Sequence, residues 1–266
     1  MAVVEKVDQL RSGLENQIAE LHEHEAGVRA GDADALHKFR VATRRSRALL
    51  RPCSGVDDLQ RELRWLAGML GPVRDLDVLI DRVRELVKDL GEDQAGGETI
   101  VNALEARRAD ARAALMKALD SDRYRELIAR FPVDIGTLGE TDAGHLVALA
   151  GRELKRLRRA HAELGPEPAD DELHRVRIKA KRTRYAAELA GKKLAKLANA
   201  AKALQDAIGV HQDAVVAEQR VREVAKGRSL LAAGRIVELE RERRREVRAD
   251  LPKVWKRLER AASKAF

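Results

Sequence analysis

The chain has a single cysteine, Cys53, which excludes any internal disulfide, and no Cys/His cluster has zinc spacing. Aromatic residues are only 3% of the chain. Base-stacking recognition of single-stranded nucleic acid therefore has little to work with. No apolar run approaches the roughly 18 residues of a membrane span, and residues 1–6 are charged too early for a signal peptide. A soluble, cytoplasmic protein with no membrane partner is expected. Strand-like alternation is missing too, as are paired catalytic carboxylates, a nucleophile motif and a Gly-rich phosphate loop, so no enzyme activity and no cofactor are expected. His22 and His24 sit two residues apart on a predicted helix and point about 200° away from each other, so they cannot share a metal ion. No metal site is predicted.

The most informative absence is local. Between Asp34 and Asp57 there is no acidic residue, yet that window holds Lys38, Arg40, Arg44, Arg45, Arg47 and Arg51. At 100° per residue, His37, Arg40, Arg44, Arg47 and Arg51 fall within an arc of about 80°. Leu36, Phe39, Ala42, Thr43, Ser46, Leu49 and Leu50 lie opposite. The spacing predicts a helix with one face for the core and one cationic face. An ordinary solvated helix alternates its signs so that residues four apart attract each other. These cations repel, and an anion from elsewhere is expected to neutralise them. Arginine's planar fork can hold phosphate oxygens in pairs, which favours phosphate over a merely acidic surface.

The pattern recurs. Leu173-His174-Arg175-Val176-Arg177-Ile178-Lys179-Ala180-Lys181-Arg182-Thr183-Arg184 repeats the first basic segment at an offset of 137 residues, as L-H-x-x-R-[VI]-x-x-[RK]-R-x-R. Downstream, Leu66, Leu70, Gly71 and Asp75 are echoed by Leu204, Ile208, Gly209 and Asp213. Two motifs that keep their order and nearly their spacing argue for internal duplication. The windows 35–56 and 173–205 carry +6 and +9, while the whole chain carries +8, so the remainder must be net acidic. Two focused cationic faces on an acidic body suggest a localised anion site.

These duplicated motifs, together with Leu70-Gly71-Pro72-Val73-Arg74-Asp75-Leu76-Asp77-Val78, resemble the CHAD family, the conserved histidine α-helical domain. The resemblance covers nearly the whole chain. It implies an all-α fold of two pseudo-symmetric helical bundles with a basic channel between them, and binding of inorganic polyphosphate. Many relatives adjoin a triphosphate-tunnel domain, for which no residues are left over here. Lys181 departs from the pattern where the first copy has Arg44, and Gln212 stands where it has Arg74. On this reading the polyphosphate-binding residues are His37, Arg40, Arg44, Arg45, Arg47, Arg51, His174, Arg177, Lys181, Arg182 and Arg184. Arg64 and Lys202, each seven residues before a motif glycine, join them as outer contacts. Targeting to cytoplasmic polyphosphate granules follows as an expectation. Nucleic acid, whose phosphates attract the same side chains, is the alternative partner. No oligomeric state is predicted.

Proline, glycine and acidic cap residues divide the chain into a first helical repeat over residues 1–131, a linker at 132–141 and a second repeat at 142–266. Helices are predicted at about 3–29, from Asp32 or Asp34 to Pro52, and at 56–70, 72–90, 98–120 and 122–130. The second half is predicted as 142–164, 170–189 capped by Asp170 or Asp171, 193–208, 211–226, 229–249 and 252–264. Arg152, Arg156 and Arg159 form a further stripe, read as a solvated face.

Overall fold

The computed structural model describes residues 4–51, 53–136, 138 and 143–266, and among them every regular element is a helix, with no strand. The helices are α1 (Val4–Ala30), α2 (Ala33–Leu50), α3 (Asp57–Lys88), α4 (Gln94–Leu119), α5 (Asp122–Gly136), α6 (Ala143–Ala162), α7 (Asp170–Leu189), α8 (Ala195–Val224) and α9 (Ser229–Ala262). Short 3-10 turns at Gly91–Asp93 and Lys192–Leu194 precede α4 and α8. None of the described helices is long and apolar enough to cross a membrane.

The chain forms two compact units. One comprises Met1–Arg82 and Val101–Asp142, the other Val83–Ile100 and Ala143–Phe266. In the first, Leu14, Leu21 and Val28 of α1 are buried with Leu36, Phe39, Ala42 and Leu50 of α2 and with Leu63, Leu66 and Leu70 of α3. Steps of seven in α1, of three and eight in α2 and of three and four in α3 keep each set on one stripe. Helices α1 and α2 approach closely where a Cβ on Gly27 would lie 2.5 Å from Ala35 Cβ. Only glycine fits there. Gly31, at φ +92°, then turns the chain out of α1. In the second unit, Leu154 and Leu157 of α6, Leu173, Val176 and Ala180 of α7, and Leu197, Ala201, Leu204 and Ile208 of α8 share a core with Leu258 of α9.

Four predicted breaks do not occur. Helix α3 continues through Gly71 and Pro72, α5 through Pro132, α8 through Gly209, and α9 through Pro252. A proline inside a helix removes one backbone hydrogen bond and costs about 3 kcal/mol. Continuing α5 past Pro132 keeps Phe131 and Ile135 buried, and each such side chain contributes about 1.5–3 kcal/mol. Packing outweighs the local penalty. The predicted linker is correspondingly helical up to Gly136, while residues 137 and 139–141 of it lie outside the described residues.

Candidate functional site

Asp32 starts α2 by accepting from the backbone N–H groups of Asp34 and Ala35 at 2.8 and 3.3 Å. That cap sets the phase that buries Phe39 and Leu50 and turns the arginines outward. The cationic face is partly neutralised within the chain. Lys38 Nζ pairs with Asp34 at 2.9 Å, one turn earlier. Arg40 Nη2 donates to Asp75 Oδ1 of α3 at 3.1 Å. Arg44, Arg47 and Arg51 also interact with other groups of the chain, whereas Arg45 is exposed and has no ion pair among the described residues. Arg64 is exposed on α3.

His37 marks the electrostatic centre of this face. Its pKa is pushed below the ordinary 6.5, first by lost hydration, then by Arg74, Arg44 and Arg40, with Asp34 opposing them. Arg74 comes from α3, so two helices bring cations to one imidazole. Arg74 is absent from the sequence-predicted site because Gln212 occupies its place in the second copy. The signal that could have found it was in view: Arg74 adjoins Asp75, the residue that holds Arg40. Since α3 runs unbroken, Asp75 holds an arginine from mid-helix and caps nothing.

On α7, the carboxylate of Glu172 accepts from the Ala169 backbone N–H at 2.8 Å, and the helix starts without Asp170 or Asp171 as cap. His174, Arg177, Lys181 and Arg182 are half-buried along it. Arg177 lies against Gly209 of α8, where a Cβ would be 3.4 Å from its Nε and 3.5 Å from its Nη2. His174 Nδ1, Arg177 Nε and Gln212 Oε1 are buried atoms with no hydrogen-bond partner among the described residues. Such groups are costly unless something polar satisfies them. Arg184 is placed differently. It is 8% exposed, donates to Gln205 Oε1 at 3.2 Å, pairs with Glu188 at 2.9 Å and stacks 4.6 Å from the Tyr185 ring centroid. Its guanidinium belongs to the interior of its unit. Lys202 is exposed and paired with Asp206 at 2.6 Å.

Two other groupings are bland. Arg156 and Arg159 pair with Glu153 and Glu163 of their own chain segment at 2.8 and 3.1 Å. On α1, donor atoms of Glu20, Glu23 and His24 lie within 4.8 Å of one another, but Glu20 and Glu23 are exposed and His24 already pairs with Glu20 at 3.3 Å.

The CHAD domain model matches residues 12–222. The chain belongs to the CHAD family. Among solved structures, this CHAD domain is similar to PptA from Streptomyces chartreusis, with a TM-score of 0.75 and 21% identity over 94% of this chain and 99% of that one. It is also similar to the CHAD domain of the plant Ricinus communis, with a TM-score of 0.67 and 24% identity over 97% and 91% of the two chains. Both likenesses concern the fold. Uncharacterized proteins from two strains of Mycobacterium tuberculosis are 28% identical over 281 aligned positions, covering 97% of this chain and 54% of theirs. The chain thus spans about half the length of these curated relatives. The family match ends near the close of α8, and α9 lies beyond it.

Proposed function

We propose that this CHAD domain is a non-enzymatic, cytoplasmic binder of inorganic polyphosphate. The observation that carries this reading is the convergence of Arg40, Arg44 and Arg74 around His37 from two helices. A phosphate group beside His37 would accept charge-assisted bonds from Arg44 and Arg74 and share Arg40 with Asp75. By replacing net repulsion with attraction it would also favour the imidazolium, so the site would take up a proton as it fills. Arg45, Arg47, Arg51 and Arg64 extend the face for neighbouring phosphates. In the second unit His174 and Arg177, whose buried nitrogens lack partners, would receive phosphate oxygens alongside Lys181 and Arg182. Arg184 and Lys202 would support that face from their own ion pairs. In a cell that stores polyphosphate, the protein would collect on the granules.

The test is competition. Labelled long-chain polyphosphate bound to the protein is challenged with duplex DNA, RNA and short phosphates at matched phosphate concentration. Polyphosphate should be displaced only by unlabelled polyphosphate at comparable concentration, and its length should stay unchanged during incubation with divalent metal. Displacement by DNA at equal or lower concentration would favour nucleic acid as the partner.

A further inference from the structure

Outside the two basic faces, a network of half-buried charges joins α9 to the first turn of α7. Asp170, the first residue of α7, takes Arg248 Nη2 on Oδ1 at 2.7 Å and Arg244 Nη1 on Oδ2 at 3.4 Å. Arg248 also donates from Nη1 to the Pro168 carbonyl at 2.7 Å and from Nε to His211 Nε2 at 3.0 Å. His211 is fully buried in α8. Arg244 in turn pairs with Glu218, which accepts from Arg241 and Arg222 at 2.9 and 3.0 Å. One arginine thus touches the connection before α7, the start of α7 and the middle of α8.

This arrangement bears on the proposed site because Asp170 and His174 are four residues apart, neighbours on one helix face. A carboxylate there would repel a phosphate arriving at His174 and Arg177. It is instead covered by two guanidinium groups.

We propose that Arg244 and Arg248 are positioning residues for the anion site of α7: they neutralise Asp170 and tether the start of the helix to α9, so that the Asp170 carboxylate does not oppose a ligand arriving at His174 and Arg177. The proposal rests on the polyphosphate reading and extends it to a helix outside the family match. It separates charge from scaffolding, because removing Asp170 as well as its arginine eliminates the repulsion while taking one more contact from the network.

The experiment is a titration of long-chain polyphosphate, with the whole chain carrying Arg40→Ala, Arg44→Ala and Arg74→Ala as background, which removes the three arginines around His37 and lowers the contribution of the first face. Helix content and melting are followed in parallel. Arg248→Gln should weaken binding about tenfold, an amount equivalent to about 1.4 kcal/mol. Arg248→Lys should retain most of the affinity, and adding Asp170→Asn to Arg248→Gln should restore it. Asp170→Asn alone should bind as tightly as the background or more tightly. Unchanged affinity in Arg248→Gln, or no restoration by Asp170→Asn, would overturn the proposal. If Arg248→Gln does not fold, Arg244→Gln and Asp170→Asn carry the same test, and weaker binding by a folded Asp170→Asn chain overturns it. The polyphosphate reading fails separately, if the unaltered protein does not bind the polymer at all.

Discussion

The contact of Arg177 with Gly209 allows the second basic face to be altered from beneath, without removing a charge. Glycine inside a helix costs roughly 0.5–1 kcal/mol relative to alanine. At Gly209 an added Cβ would meet Arg177 at 3.4–3.5 Å, ordinary contact, so Gly209→Ala can gain helix propensity and leave the guanidinium in place. Gly209→Leu adds three further carbons where Arg177 already lies, and overpacking of this kind costs about 1–3 kcal/mol. The guanidinium must move. Losing one charge-assisted bond to phosphate, about 1.5–3 kcal/mol, then corresponds to an affinity loss of about 10- to 100-fold. Gly71, the counterpart in α3, provides the control, since a Cβ there meets nothing within 4 Å. Thermal melts and polyphosphate calorimetry of Gly71→Ala, Gly71→Leu, Gly209→Ala and Gly209→Leu separate the two effects. Both alanine variants should raise Tm by about 1–4 °C for a chain of this size with affinity within about twofold of the parent. Only Gly209→Leu should lose binding. A folded Gly209→Leu protein that binds as tightly as the parent would refute the assignment of Arg177 to the ligand face.

Three more outcomes are expected. Arg184→Ala should lower stability, because it leaves Gln205 Oε1 without its donor, and should change affinity less than Arg177→Ala does; the reverse order in paired melting and binding measurements would return Arg184 to the ligand face. Urea midpoints should fall as pH drops below about 6.5, since His37, His161 and His211 are all held below that ordinary value in the folded chain, in each case first by burial. The unfolded chain then binds protons that the folded one resists, so this stability is fully present above 6.5 and is lost toward the lower folded pKa values; a flat profile between pH 7 and 5 would contradict it. The third outcome concerns polymer length. If one long polyphosphate engages both faces, alanine at Arg177 and Lys181 should weaken long-chain binding far more than tripolyphosphate binding, and equal proportional losses would show two independent faces.

Much of the candidate site was legible because it depends on local periodicity. The acid-free run after Asp34 announced α2, its cap and its buried stripe of Leu36, Phe39 and Leu50, and the same pattern announced α7. What escaped was tertiary. Prolines 72, 132 and 252 and Gly209 read as stops because propensity is a local quantity, whereas burial of residues such as Phe131 and Ile135 is decided by neighbouring helices. Arg184 shares the repeat spacing of Arg47, yet α8 supplies Gln205 and the side chain turns inward. The window without acids suggested cations lacking partners, but Asp34 reaches back from the previous turn and Asp75 arrives from α3. Arg74 has no counterpart in the second copy, where Gln212 stands, so the repeat spacing alone does not point to it. The clamp on Asp170 was invisible, since Arg244 and Arg248 are 74 and 78 residues away in sequence.

The resting pair of Arg40 with Asp75 makes anion capture an exchange. Any anion that reaches Arg40 competes with a carboxylate tethered 3.1 Å away, whose local concentration no dissolved ion can match. Chloride, singly charged and diffuse, has little to offer in that contest even at the roughly 0.1 M levels that set physiological screening. A polymer with a charge on every repeat would bring further phosphates to Arg40 at high local concentration. On the polyphosphate reading, Asp75 would act as a valence filter at Arg40, yielding less readily to a singly charged ion than to a ligand whose charges are covalently linked.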